Sequence, residues 1–173
     1  MDTPQYPAGP PVPEDYYAPS RRAELIAVLE GAPATMRRAI AGLSEEQLDA
    51  RYRNWTIRQI VHHVADSHAN AYVRFKLALT EERPTIKPYH EDRWVALADS
   101  RTGDIVAPLA LLDGLHVAWV QLLRMLSDDE FSRTFFHPET GKVVSLHAAL
   151  GSYAWHCGHH IGQIAWLREQ NGW

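Results

Sequence analysis

A chain of 173 residues, 46% of them hydrophobic, is long enough to build one compact domain with a full core. Its formal net charge of −4 gives no broad attraction for nucleic acid, and no charge-free apolar run reaches the length needed to cross a bilayer. The single cysteine, Cys157, excludes an intrachain disulfide and every multi-cysteine zinc motif. A metal would then be held by nitrogen and oxygen donors, in what reads as a reducing, cytoplasmic compartment.

Residues 1–19 hold six prolines, which remove backbone donors and keep the chain extended, so the segment reads as an arm. Either Tyr6, Tyr16 and Tyr17 pin it on a body spanning residues 20–173, or it is a partly disordered leader. The arm has neither the basic start nor the apolar stretch of a secretory signal. From Ser20 to about Gly42, Leu25, Ile26, Leu29, Met36 and Ile40 recur at helical spacing, with Ser20 as N-cap. A kink is expected at Pro33, which removes a backbone bond. Ser44 and Glu46 then start a short helical turn.

Thr56 caps a helix to about Thr80, whose apolar stripe is Ile57, Ile60, Val61, Val64, His68, Ala71, Phe75 and Leu79. A second line, His63, Ser67, Asn70 and Arg74, descends one flank at i, i+4, i+7 and i+11. Such a line marks either a solvated face or one wall of a cleft. Residues 81–103 form a long connection with two prolines and a short helix around Trp94–Ala98. Extended at about 3.3 Å per residue, half of it spans the roughly 37 Å of the preceding helix, so a crossover between parallel helices is allowed.

Asp104 opens a helix to about Leu126 with Leu109, Leu112, His116, Val120 and Leu123 inward. His116, in mid-stripe, reads as a buried histidine donating to a backbone or side-chain acceptor. The stretch FSRTFFHPETGKVVS places β-branched residues around a Pro-Glu-Thr-Gly turn, a small hairpin or extended loop. Ser145 caps the last helix. There Leu146, Ala149, Leu150, Tyr153, Cys157, Ile164 and Leu167 fall within about 60° of one direction. His160 lies about 40° from the centre of that stripe, His156 about 80° and His159 about 140°, which puts His159 towards solvent. Cys157, near the centre, reads as an inert core residue.

Four long amphipathic helices argue for an all-α four-helix bundle with crossover connections. His156 and His160, one turn apart, read by themselves as two core-edge histidines satisfied by hydrogen bonds, or as a pair that turns a ring nitrogen each to one divalent metal, provided another helix supplies a third donor. Periodicity favours His68 for that place, because it faces the core while His63 lies on the polar flank; spacing leaves the choice open.

The arm's YPAG, the long NWTIRQIVHHVADSHANAYVRFKLALTEERPTIKPY block, the FFHPETGK turn and YAWHCGHHIGQIAWL together resemble the DinB/YfiT-like metal-dependent proteins, specifically the YfiT branch of bacillithiol S-transferases. The resemblance runs over nearly the whole chain. It implies an up-down-down-up bundle, a homodimer, and a metal ligand set of His63, eight residues after Trp55, with His156 and His160. Three neutral imidazoles leave a coordination position open; zinc is the expected ion, with nickel compatible.

The resemblance further implies transfer of a low-molecular-weight thiol, bacillithiol in the nearest branch, onto an electrophile for detoxification. An open metal suits that chemistry by holding a thiol as thiolate. Ser67, Asn70 and Arg74 are candidate substrate contacts, arginine being suited to a carboxylate. Two other readings stand beside it. A metal-dependent hydrolase would activate water. The carboxylate that follows the first histidine in His-Glu-x-x-His is replaced here by Cys157, leaving Asp66 or a carboxylate outside the helices as base. A metal-binding stress protein without turnover is the non-enzyme alternative. No nucleic acid or membrane partner is expected.

Overall fold

The computed structural model describes residues 3–173, so the first two residues of the expected arm lie outside it. After the arm come α1 (Pro19–Ile40), α2 (Glu45–Leu48), the short strands β1 (Arg51–Tyr52) and β2 (Trp55–Thr56), and α3 (Ile57–Thr80). The long connection holds α4 (Glu91–Trp94) and α5 (Ala98–Thr102). Then follow α6 (Val106–Met125), α7 (Asp128–Phe131), the hairpin β3 (Thr134–His137) and β4 (Lys142–Ser145), and α8 (Leu146–Asn171).

Helix starts follow side-chain chemistry at three of the four long helices. Thr56 accepts from the Gln59 amide while Gln59 reaches back to the Thr56 amide, a reciprocal cap. Ser145 accepts from the Ala148 amide at 3.1 Å. Asp104 accepts from the amides of Val106 and Ala107 at 2.8 and 3.3 Å. At α1 the expectation fails: Ser20 is already inside the helix, Ala18 is the cap residue, and Pro19 starts the first turn. Proline there supplies a preset φ and lacks only an amide that would have no helical partner. Pro33 sits within α1, which runs on to Ile40. The short helix expected around Trp94–Ala98 is instead two, α4 and α5, on either side of that stretch.

Cross-helix contacts set the course. Tyr17, ahead of α1, bonds His147 at the start of α8, and Arg168 near its end donates to the carbonyls of Ala39 and Ala41, so α1 and α8 are parallel. His63 meets His160 while Arg74 meets Tyr153, so α3 runs against α8. His62 lies by Asp104 and Phe75 by Trp119, so α6 runs with α3. This up-down-down-up order needs the α3–α6 connection to travel back along α3. Gln59 to the Val95 carbonyl (2.7 Å) and Arg58 to the Gly103 carbonyl (2.8 Å) hold it there.

The core is split. One apolar cluster gathers Leu29, Phe75, Trp119 and Leu150; the other gathers Met36, Ile60, Leu112 and Ile164. On each of the four long helices these sets leave a gap, and Pro33, His68, His116 and His160 fall in it. A polar layer therefore crosses the middle of the bundle. Among the described residues α6 is the one helix long and apolar enough by length and mean hydropathy to cross a membrane. It contains Asp113 and Arg124, however, and its Leu109, Leu112, Trp119 and Leu123 are buried inside the bundle.

The arm is pinned. Trp155 Nε1 donates to the Gly9 carbonyl at 2.8 Å and Arg53 to the Thr3 carbonyl at 3.0 Å. Its seat on α8 is cut by glycines. A Cβ on Gly151 would lie 2.1 Å from the Tyr17 hydroxyl, and one on Gly162 would lie 3.3 Å from Pro7.

Candidate metal centre

Caps and packing aim three imidazoles at one point. The Thr56–Gln59 cap sets the phase of α3, so that His63 on its second turn faces α8, where His156 and His160 stand one turn apart. His156 Nε2 is 3.1 Å from both His63 Nε2 and His160 Nε2, and the three donor atoms lie within 4.8 Å of one another. Nitrogens held at about 2.0–2.1 Å from one tetrahedral ion stand roughly 3.3 Å apart, so the spacing fits a metal.

Ring polarity fits as well. The Gln163 amide nitrogen lies 2.9 Å from His159 Nε2, which turns its oxygen to His160 Nδ1 at 2.8 Å. An amide oxygen accepts, so His160 Nδ1 carries the hydrogen and its Nε2 presents a lone pair to the centre. Burial holds all three rings neutral: His63 is pushed down to about 4, and His156 and His160 go well below the usual histidine value, helped by neighbouring imidazoles. Neutral imidazole is the form that binds metal.

His68, the rival that periodicity favoured, stands behind His156 rather than beside His63. Both its nitrogens are engaged, Nε2 with His156 Nδ1 at 3.1 Å and Nδ1 with His116 Nε2 at 2.8 Å. His159, expected in solvent, is buried: its ring stacks on Trp155 at 4.7 Å and meets Tyr6 of the arm. Helical phase placed it on the outer side correctly, but the arm covers that side. Cys157 is 1% exposed and burial pushes its thiol up to about 12, which leaves it inert.

Two openings reach the centre. One, about 330 Å³, is lined by Trp55, His63, Asp92, His159 and His160. The second, about 430 Å³, is lined by Ser67, Arg74, Tyr89, His137 and Tyr153, with Pro11 and Pro13 of the arm as one wall. His156, Trp155 and Glu91 border both. Of the three substrate contacts expected, Ser67 and Arg74 line the second opening. Asn70 instead donates back to the Asp66 carbonyl at 2.9 Å and is no part of that lining.

Arg74 donates to the Tyr153 hydroxyl at 2.9 Å, and its Nε is buried without a partner among the described residues. Glu91 belongs to the exposed rim, yet desolvation and nearby Asp92 and Glu139 raise its carboxyl above the ordinary value. Asp66, the carboxylate considered for a base, faces a different hollow with Asp99 and Asp104.

Sequence reasoning missed Trp55 as a ring against His63 (4.5 Å), Gln163 as the partner of His160, and Tyr89 and Glu91 as lining. Gln163 was findable, three residues after a candidate ligand on the same helix. Glu91 and Tyr89 come from the connection, whose path no periodicity encodes.

The DinB superfamily pattern matches residues 28–164. The chain is 47% identical over 170 residues to a Bacillus subtilis (strain 168) protein named "Putative metal-dependent hydrolase YfiT", covering 97% of this chain and 96% of that one. It is 50% identical over 147 residues, 84% of each, to a Bacillus mycoides protein of the same description. The solved structure of YfiT, described as having an unusual four-helix bundle topology, superposes with a TM-score of 0.94 at 46% identity, covering 97% of both chains.

Proposed function

This chain belongs to the DinB superfamily, and from that premise we propose that it is a metal-dependent enzyme transferring a small thiol of the bacillithiol kind to an electrophile. The proposed ligands are His63, His156 and His160, with zinc the expected ion and nickel an alternative. A divalent ion there would supply a Lewis acid that lowers the pKa of a thiol brought to its open side.

The observation that carries this reading is the pairing of an all-nitrogen, neutral donor set with an adjoining opening that presents a guanidinium. Arg74 and Ser67 would bind an anionic or hydroxyl-rich thiol by its far end, and Tyr153 holds the guanidinium in place. Trp155 and the arm's prolines wall the opening and exclude water from one side. Cys157, buried and protonated, takes no part as a nucleophile.

A second reading, hydrolysis, is favoured by the names of the relatives and by Glu91, whose raised carboxyl stands at the rim of both openings. The two separate in one assay on zinc-loaded protein. Conjugation of bacillithiol, mycothiol or glutathione to a fluorogenic electrophile, lost in His160→Ala, supports the transferase. Ester or amide cleavage without added thiol overturns it for the hydrolase, and metal binding without either reaction leaves a binding protein.

The reading includes a cytoplasmic homodimer. Val106, Val117 and Met125 are exposed along α6, an apolar side for a second copy to cover. Sedimentation as a monomer at micromolar concentration would remove the dimer from the proposal.

A further inference from the structure

Pro33 leaves a gap in the hydrogen bonding of α1. A helical residue 33 would donate its amide to the Leu29 carbonyl, and proline has no amide hydrogen to give. That carbonyl is taken by His116 Nδ1 on α6, at 2.6 Å. His116 Nε2 in turn stands 2.8 Å from His68 Nδ1 on α3, and His68 Nε2 stands 3.1 Å from His156 Nδ1 on α8. One line of contacts thus takes a link from each of the four long helices and ends on a residue of the metal centre. His68 and His116 are 0% and 2% exposed, so both rings are shielded from bulk solvent.

We infer that His116 and His68 are positioning residues for the metal centre, forming with the Leu29 carbonyl a one-directional hydrogen-bond chain that fixes the tautomer and aim of His156. Direction follows from the anchor. A carbonyl only accepts, so His116 Nδ1 must carry the hydrogen and its Nε2 must be a lone pair. His68 then donates from Nδ1 and accepts at Nε2, and His156 donates from Nδ1. The remaining nitrogen, His156 Nε2, is a lone pair facing His63 and His160. Reversing any link would set two hydrogens or two lone pairs against each other in the core, leaving buried groups unsatisfied. The inference rests on the metal-centre reading only for its consequence, since the tautomers follow from the protein's own contacts.

The test uses the full chain labelled with ¹⁵N-histidine. In metal-free wild type near pH 7.5, His116, His68 and His156 should each give Nδ1–H and bare Nε2 signals. An Nε2–H signal from His156 or His68 overturns the inference without any variant. In His116→Leu, the His156 tautomer should become mixed and zinc affinity, read by competition with a chelating dye, should fall about 10-fold, the lower end for an outer-shell partner. His116→Gln, whose amide can donate to Leu29 and accept from His68, should restore both. Affinity and tautomer both unchanged in His116→Leu, with folding verified by circular dichroism, overturn the inference. The expected tautomers in a wild type that binds no divalent ion would support the chain while overturning the metal-centre reading.

Discussion

Arg74→Ala removes the guanidinium from the opening beside His156 and spares the imidazoles. A charged hydrogen bond of ordinary strength predicts a KM for the anionic thiol raised about 10- to 100-fold with kcat less affected. Steady-state kinetics at fixed electrophile check it, and an equal fall in kcat and kcat/KM would place Arg74 in the chemical step instead. Loss of His160 acts differently. His160→Ala should lower zinc affinity on the order of 100-fold or more, read as bound metal by mass spectrometry. For His63, burial holds the folded pKa at about 4, below the unfolded value, so the unfolded chain takes a proton first as pH falls. Stability of the metal-free protein is therefore complete above about 6.5 and falls as pH drops towards 4, by about 3 kcal/mol from this ring alone. Urea unfolding at pH 7, 5.5 and 4 tests the sign.

Among the elements, α8 does two jobs with two faces. His156 and His160 look into the bundle, while Gly151 and Gly162 let the arm lie against it. Gly151→Ala would place a methyl on the Tyr17 hydroxyl. Tyr17 is buried, with its amide on His147 and its hydroxyl accepting from the Glu14 amide, so it has little room to give. Overpacking of this kind costs about 1–3 kcal/mol. The expected result is a lower melting temperature with faster proteolysis inside residues 3–18, and an unchanged cleavage pattern would mean that Tyr17 moves aside without freeing the arm. On α1, the proline that sequence reading treats as a kink also exposes the carbonyl on which the histidine chain rests.

For the whole molecule, the proposed centre joins α3 to α8 across the polar layer between two apolar clusters, so a metal held there would be coupled to bundle stability. An ion at 100 times its dissociation constant adds about 2.7 kcal/mol, or roughly 5–10 °C in melting temperature for a chain of this size. Scanning calorimetry with zinc and then with excess chelator should show the rise and its reversal; His160→Ala should show neither. The sequence alone determined the helices, their caps at Thr56 and Ser145, the one-turn spacing of His156 and His160, and the bundle itself, because local periodicity and capping chemistry carry that information. Tertiary structure decided what periodicity cannot: a helical wheel shows which way a side chain points, not what meets it. His63 and His68 both point inward from α3. Only the height at which α3 packs against α8 brings the first to the shared point and leaves the second behind His156, and only the arm's path over α8 buries His159.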